Sequence, residues 1–287
     1  MPNYTVRILS RGDEELLEAF LLPRISTSMF LLGNMRHGGL ADHGQRYQGT
    51  YAAAFEGDQI GGVVAHFWNG NLVLQAPRYM EALQLAAVAA SGRDVEGIIG
   101  PGEQVDLCKS LLDIRDRQVQ LDETEKLYAL VLKDLRVPEA LIAGQLQGRR
   151  IQPRDLDLVT GWLVAFSLES LGEEDTPELH ALTRENVKSR IGEGNTWILE
   201  DSGRPVSTSS FNTSVTEAVQ IGGVWTPPEL RSRGYGRAAV AASLIDARDE
   251  GARMAILFTP QGNLPAQRAY QALGFRHIGE YRLLLLR

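Results

Sequence analysis

The sequence predicts an α/β protein made of two halves in which strands and helices follow in a similar order. In the C-terminal half, strand-like and helical runs alternate and are separated by turn residues such as 201–203. The N-terminal half repeats this order loosely, and 287 residues are enough for two ordinary domains. We therefore expect domains at residues 1–138 and 149–287, joined by a segment with few large residues.

In the C-terminal half, apolar periodicity predicts helices at 155–171 and 177–191. Thr176 is a suitable N-cap for the second helix, and Pro177 suits its first position. Further helices follow residues 236 and 262. Strands are predicted at 149–152, 196–200, 206–211, 218–225, 254–258 and 277–286.

The N-terminal half predicts helices at 13–22, 79–90 and 102–112, and a glycine-containing loop at 37–47. Its strands are predicted at 4–9, 51–55, 60–67, 72–75, 95–99 and 127–132.

Composition excludes several classes of protein. A net charge of -7 argues against general nucleic-acid binding, which requires a basic face. No apolar run approaches the ~18 residues of a membrane span, and the N-terminus lacks the features of a signal peptide, so we expect a cytoplasmic protein without a membrane partner. Cys108 is the only cysteine, which excludes an intramolecular disulfide. The histidines share no metal-ligand spacing, so no metal is predicted.

The segment after the strand at 218–225 is the most informative of the chain. Pro227 and Pro228 end the strand, and Arg231-x-x-Gly234-x-Gly236 leads into an alanine-rich helix. Such a turn presents backbone N–H groups and a positive helix end to an anion, and glycine allows close approach of the backbone. The predicted ligand is a pyrophosphate.

A second segment lies where the next helix is expected: Asn263-x-x-Ala266, followed by Tyr270-x-x-x-Gly274-Phe275. Together the two segments resemble the acetyl-CoA signature of the GNAT superfamily of acyl-CoA N-acyltransferases (EC 2.3.1.-). The resemblance covers roughly the C-terminal half. It implies a twisted mixed sheet flanked by helices, which the N-terminal half would repeat as a second, diverged GNAT-like domain.

The resemblance implies acetyl-CoA as co-substrate, with its pyrophosphate on the loop and its pantetheine arm along the preceding strand. We expect the strand to stop pairing at Pro227-Pro228, where the arm can enter. Asn263 can cap its helix, contact the cofactor, or do both. The cofactor-binding residues implied are Val224, Trp225, Thr226, Arg231, Ser232, Arg233, Gly234, Tyr235, Gly236, Arg237, Asn263 and Ala266.

Tyr270 matches the family's general acid, which protonates the departing CoA thiolate. A phenol with a pKa of ~10 keeps its proton at neutral pH and can donate it. The alternative role is packing, since a helix cap at Gly274 would bring Phe275 against Tyr270.

The general base is not identified by the sequence. Many relatives use a glutamate on the strand before the phosphate loop, but residues 219–225 contain no acid. A relayed water or an already neutral amine is an alternative. The remaining candidates are Glu169, Glu173, Glu174, His180 and Glu217.

The corresponding position of the N-terminal half reads Gln75-Ala-Pro-Arg-Tyr79, without glycine. Side chains at every position and a proline without an N–H cannot build the same anion cradle. We therefore expect the N-terminal domain not to bind CoA.

These observations predict an N-acetyltransferase that moves an acetyl group directly from acetyl-CoA to the amine of a small molecule. One alternative is an enzyme similar to glycine N-acyltransferases that uses another acyl-CoA. The other is a non-catalytic protein that binds or senses acyl-CoA. The sequence leaves a homodimer open.

Overall fold

The computed structural model describes residues 4–112, 114 and 117–286. The chain forms two compact units: the first comprises residues 1–126 and 279–287, and the second residues 127–278. Both are mixed β-sheets flanked by helices, as the sequence predicts. The predicted boundary between residues 138 and 149 lies inside the second unit, so these units differ from the expected domains.

In the first unit, the strands follow in the order β1-β2-β3-β4-β5-β12, with β4 and β5 parallel. The last strand of the chain lies here because it is antiparallel to β5, with Leu284 opposite Ile98 in the same apolar cluster. The elements of this unit are β1 (Thr5–Ile8), α1 (Glu14–Leu21), α2 (Ile25–Gly38), β2 (Gly49–Glu56), β3 (Gln59–Phe67), β4 (Asn71–Gln75), α3 (Met80–Ser91), β5 (Gly97–Pro101), α4 (Gly102–Leu111), the start of β6 (Val119–Val131) and most of β12 (Arg276–Leu286).

Helix α2 was not predicted from the sequence. Its apolar residues do not form one stripe, and it carries Ser26, Thr27 and Ser28 in its first turn, where a periodicity criterion gives no helix signal. Tertiary packing explains the helix, because Met29, Leu31, Leu32 and Met35 are all buried. The expected loop at 37–47 begins only where this helix ends.

The expectation that no segment approaches a membrane span was too strict. By length and composition, the helical stretch Glu14–Gly38 is long and apolar enough to cross a membrane, with a mean hydropathy of 1.3 in its most apolar window. Of that window, 44% is buried inside the protein. A core helix of a globular protein passes the same test, so this stretch is weak support for a membrane span.

Glu125, on β6, has a buried Oε2 without a hydrogen-bond partner among the described residues. Burial, aided by the carboxylate of Glu123, raises the pKa of Glu125 to about 8. An unfolded glutamate ionises near pH ~4.3. The folded state therefore retains a proton that the unfolded state releases, and stability from this group is lost as pH rises from about 4 to 8.

We expect Glu125→Gln to leave stability nearly unchanged at pH 4 and to raise it at pH 7, by up to about 3 kcal/mol. Urea unfolding at the two pH values measures this difference. Glu103→Gln, at an exposed position of α4, is the matched control and should show no such pH dependence. Equal effects of Glu125→Gln at both pH values would contradict a raised pKa.

In the second unit, the strands follow in the order β6-β11-β10-β9-β8-β7, with β10 and β11 parallel. The elements of this unit are the end of β6, α5 (Glu139–Ile142), β7 (Leu146–Arg150), α6 (Leu156–Ser170), α7 (Pro177–Glu193), β8 (Thr196–Asp201), β9 (Arg204–Ser214), β10 (Ala218–Trp225), α8 (Tyr235–Asp249), β11 (Met254–Pro260) and α9 (Leu264–Leu273).

The two faces of this second sheet carry different helices. Trp197 of β8 packs in the cluster that contains Leu244 of α8, whereas the next residue, Ile198, packs with Leu163 of α6 and Val187 of α7. This alternation is the period of two expected of a strand buried on both faces. Strand β10 thus runs between two helical layers and ends at the loop that precedes α8.

Candidate functional site

Strand β10 is irregular just before the predicted phosphate loop. Gly222 lies opposite Ser210 of β9, but Trp225 lies opposite Thr208, so β10 has one more residue than β9 in this interval. Gly223 has a φ of 61°, which belongs to the left-handed region that favours glycine. This is a β-bulge, and it leaves residues 223 and 224 without a residue directly opposite them on β9.

On its other side, β10 separates from β11. Parallel pairing covers Ala218–Gln220 against Met254–Ile256 and then stops, although β10 continues to Trp225 and β11 to Pro260. Pairing with β11 therefore stops several residues before the predicted Pro227-Pro228, whereas pairing with β9 runs to Trp225. The gap opens at Gln220, and it exposes a longer free edge of β10 than the prolines alone would provide.

The loop after β10 has the conformation of an anion cradle. Ser232 and Gly234 both have a left-handed backbone, with φ of 64° and 80°. Helix α8 begins at Tyr235, and the N–H of Ala238 donates to the carbonyl of Gly234 at 3.0 Å. The N–H groups of the preceding turn have no acceptor within the helix, and the positive end of the helix dipole lies there.

The two glycines of the motif serve different purposes. Gly234 supplies the left-handed turn, and Nη2 of Arg237 lies 3.7 Å from the place where its Cβ would be. Gly236 allows α8 to approach β10, since its Cβ would lie 3.3 Å from Oγ1 of Thr226. That hydroxyl is fixed by Oγ of Ser207 at 2.9 Å.

Arg231, the first residue of the motif, is held by the protein itself. Its Nε donates to the carbonyl of Thr226 at 3.0 Å, and its Nη2 lies 2.9 Å from Oε2 of Glu169 on α6. The guanidinium also lies 4.7 Å from the centre of the Trp225 ring. Arg231 therefore fastens the loop to the end of β10, and a direct phosphate contact by its side chain stays a prediction.

Arg268, which was not predicted from the sequence as a site residue, lies beside the loop. An open depression of about 420 Å³ lies beside the loop and is lined by Ser232, Arg233, Gly234, Arg237, Arg268 and Ala269. Arg268 lies on α9 between the motif residues Ala266 and Tyr270. The motif gave no signal for it, because the family pattern leaves this position open.

Other predicted cofactor residues are placed by their own contacts. Oδ1 of Asn263 accepts from the N–H of Ala266 at 3.2 Å, so the N-cap is present and a cofactor contact stays a prediction. The hydroxyl of Tyr235 donates to Asp201 at 2.5 Å, so only the backbone of Tyr235 is left to serve the cradle. Val224 is partly buried against the apolar core.

Tyr270 packs as the capping alternative predicts. Gly274 has a φ of 104°, and the N–H of Phe275 donates to the carbonyl of Tyr270 at 3.1 Å. The two rings meet edge to face, with centroids 6.0 Å apart. Tyr270 is only partly buried, so packing and proton donation are compatible, and the catalytic role stays a prediction.

The candidate bases lie at different places relative to the end of β10 that leads into the loop. Glu217 lies seven residues before Val224, about 23 Å away along an extended chain. His180 is exposed and lies 2.7 Å from Asp175. Glu169 reaches the end of β10, but it is paired with Arg231.

Glu173 and Glu174 lie between α6 and α7. Gln220 lies at the start of the gap. Its buried side chain donates through Nε2 to Ile221, and its Oε1 has no partner in the described part of the chain.

In the first unit, the segment between β4 and α3 is filled by side chains. Tyr79, at φ 66°, stacks on Tyr4 at 4.0 Å and donates its hydroxyl to Glu56. The carbonyl of Arg78 lies so close to β3 that a Cβ on Gly62 would approach it to 2.8 Å. The segment thus packs directly against β3 and, in this described part of the chain, leaves no open cradle.

We expect one chain to bind one CoA, because among the described residues the predicted cradle is open in the second unit, whereas the corresponding segment of the first unit is filled. Isothermal titration of the full chain with CoA measures the stoichiometry. A value of two per chain would show that the segment 75–79 opens and would contradict the assignment.

Comparison with known proteins agrees with this geometry. Residues 159–275 match the acetyltransferase (GNAT) family. A mycothiol acetyltransferase from Thermomonospora curvata is 28% identical over 153 residues, which are 50% of this chain and 48% of that protein. The chain thus spans about half the length of this relative.

Two solved structures share the fold over almost the whole chain. A Drosophila protein has a TM-score of 0.65 at 14% identity and is covered to 98%, as is this chain. A tandem GNAT protein from the clavulanic acid biosynthesis pathway has a TM-score of 0.55 at 14% identity, over 98% of this chain and 97% of its own. The tandem arrangement of two such sheets is therefore a known one, and the chain contains a domain of the acetyltransferase (GNAT) family at residues 159–275.

Proposed function

We propose that the protein transfers an acetyl group from acetyl-CoA directly to the amine of a small molecule. One observation carries this proposal: the gap between β10 and β11 opens on the same strand that leads into the cradle at 232–237. A ligand with a pyrophosphate at one end and an extended, amide-containing arm fits both features.

The free edge of β10 suits the arm of the cofactor. Beyond Gln220 the strand has no β11 partner, so its N–H and C=O groups can bond the two amides of pantetheine, as an added strand would. The pyrophosphate would then lie on the N–H groups at the start of α8.

The bulge offers a place for the thioester. Gly223 and Val224 have no residue directly opposite them on β9, and their backbone N–H groups are the donors we assign to the thioester. Aimed at the thioester oxygen, they would stabilise the negative charge that develops when the amine attacks the carbonyl carbon. The collapse of the tetrahedral intermediate breaks the carbon–sulfur bond, and Tyr270 supplies the proton to the leaving thiolate.

Direct transfer is supported by the state of the chain's cysteine. Cys108 is fully buried in α4, and burial raises the pKa of its thiol to about 12. A thiol that is neither accessible nor ionised cannot carry the acetyl group. Transfer through an acetylated cysteine is therefore disfavoured, and in our proposal the amine attacks the thioester itself. The amine must also arrive neutral or lose its proton to water, since no carboxylate is assigned the role of general base.

We further propose a small-molecule acceptor and a cytoplasmic location. The relative from Thermomonospora curvata is a mycothiol acetyltransferase by name, which favours a small acceptor. An overall charge of -7 does not favour a nucleic-acid partner. The second candidate, an acyl-CoA-binding protein without turnover, is favoured by one observation: the site has Gln220 at the gap, where an amide cannot take a proton.

Thiol release distinguishes the two functions. The full chain is incubated with acetyl-CoA and a panel of amines that includes amino acids, amino sugars and polyamines, and free CoA is measured together with the mass of each product. We expect release that depends on at least one amine, with a product heavier by one acetyl group. Tight binding of acetyl-CoA without release for any amine would favour the binding protein. Release with propionyl-CoA or longer acyl-CoA but not acetyl-CoA would favour the enzyme with another acyl donor.

A further inference from the structure

Two guanidinium groups face the open depression beside the loop. Arg237 comes from the first turn of α8, and Arg268 from the middle of α9. Both side chains are exposed. Within the described part of the chain neither has an ion pair or hydrogen bond, whereas Arg231 next to them is held by Glu169. The residues that line the depression include no carboxylate.

Positive side chains that lie near one another without a neutralising carboxylate repel each other, and a bound anion would relieve this repulsion. Arg233 also lines the depression, and its Nη2 lies 3.4 Å from the carbonyl of Glu229. Helices α8 and α9 thus bring positive charge to one depression, although the net charge of the protein is -7. This pattern is that of an anion site rather than of a general basic surface.

We propose that Arg268 and Arg237 bind the 3′-phosphate of CoA and make the protein selective for CoA over dephospho-CoA. This inference rests on the proposed function, because it takes acetyl-CoA as the ligand. It assigns to Arg268 a task that the sequence motif does not give to that position.

The division of the three phosphates follows from the two kinds of donor. The pyrophosphate is assigned to backbone N–H groups of residues 232–237, at the N-terminus of α8. The 3′-phosphate is a separate monoester with up to two negative charges. A pair of guanidinium groups matches it better than backbone amides do.

The shape of the depression agrees with this assignment. It is open to solvent, as suits the end of a ligand that stays outside, whereas the reacting end must enter the gap between β10 and β11. Nη2 of Arg237 lies 3.7 Å from the Cβ position of Gly234, and Arg237 and Arg268 both line the depression. The depression therefore lies next to the predicted cradle and is bordered by both arginines.

The test compares CoA with dephospho-CoA, which differ only in the 3′-phosphate. Affinities of the full chain for both are measured by titration calorimetry for the wild type, Arg268→Gln and Arg237→Gln. We expect the wild type to prefer CoA by about tenfold or more, the size of one charge-assisted hydrogen bond. Arg268→Gln should lose about tenfold for CoA and hardly change for dephospho-CoA. Arg276→Gln, an exposed arginine outside the depression, is the matched control and should behave as the wild type.

Three results would overturn the inference. The first is that the wild type binds both ligands equally, which would leave Arg268 without a ligand. The second is that Arg268→Gln weakens the binding of both ligands by the same factor, which would place Arg268 on the pyrophosphate. In either case the acetyl-CoA assignment survives. Binding of neither ligand by the wild type would instead remove the proposed function, and this inference with it. Circular dichroism and thermal unfolding of each variant confirm that it is folded.

Discussion

Replacing Gly234 with valine is expected to abolish CoA binding while the second unit stays folded. Gly234 has a φ of 80°, and a β-branched residue at that angle is strained by about 1–3 kcal/mol. The loop would relieve the strain by changing its backbone, and the N–H groups of the cradle would no longer point to one anion. Gly236→Val should have a similar effect, because a Cβ there already approaches Thr226 to 3.3 Å.

Calorimetric titration with CoA measures the loss, and we expect affinity to fall by about 100-fold or more, the equivalent of two charge-assisted hydrogen bonds. Gly192→Val is the matched control, because that glycine is exposed on α7, has an ordinary φ and has open space around its Cβ position. Unchanged affinity of folded Gly234→Val and Gly236→Val would remove the phosphate-loop assignment.

Tyr270→Phe is expected to slow turnover and hardly to weaken acetyl-CoA binding. The ring is kept, so Phe275 retains its partner at the end of α9 and the stability of the unit should be close to wild type. Only the hydroxyl proton that the leaving thiolate would take is lost. The loss of general-acid catalysis typically costs about 10²–10⁴-fold in rate. It falls on kcat more than on the cofactor's KM, because the proton is needed in the transition state.

Steady-state kinetics with the best amine from the thiol-release panel give both constants. Tyr4→Phe is the matched control, since Tyr4 is a partly buried tyrosine of the first unit that stacks on Tyr79 and has no proposed part in the reaction. A Tyr270→Phe variant with the kcat of the wild type would make Tyr270 a packing residue alone.

Local signals in the sequence were sufficient for the elements around the site. The strand-like run at 218–225 and the turn chemistry at Gly234 place a strand, a loop and a helix where the structure has them. Thr176 was expected to cap α7, and its side chain accepts from the N–H of Leu179. The helix end at Gly274 was likewise predicted from one glycine and the aromatic residues around it.

Features that depend on pairing between distant segments could not be obtained in this way. The separation of β10 from β11 begins at Gln220, and no residue type in β10 marks that position. The last strand pairs with β5, which lies about two thirds of the chain length away in sequence. Arg268 and Arg237 line one depression only because α8 and α9 pack against each other. Nothing in the sequences of the two helices indicates this packing.

A crystal structure of the full chain with acetyl-CoA tests the central claim most directly. We expect the pyrophosphate on the backbone N–H groups of residues 232–237, the pantetheine amides on the edge of β10 after Gln220, and the sulfur within reach of the Tyr270 hydroxyl. One molecule should be bound per chain. A cofactor bound elsewhere, or a β10 that pairs with β11 as far as Trp225 and leaves no gap for the arm, would contradict the account.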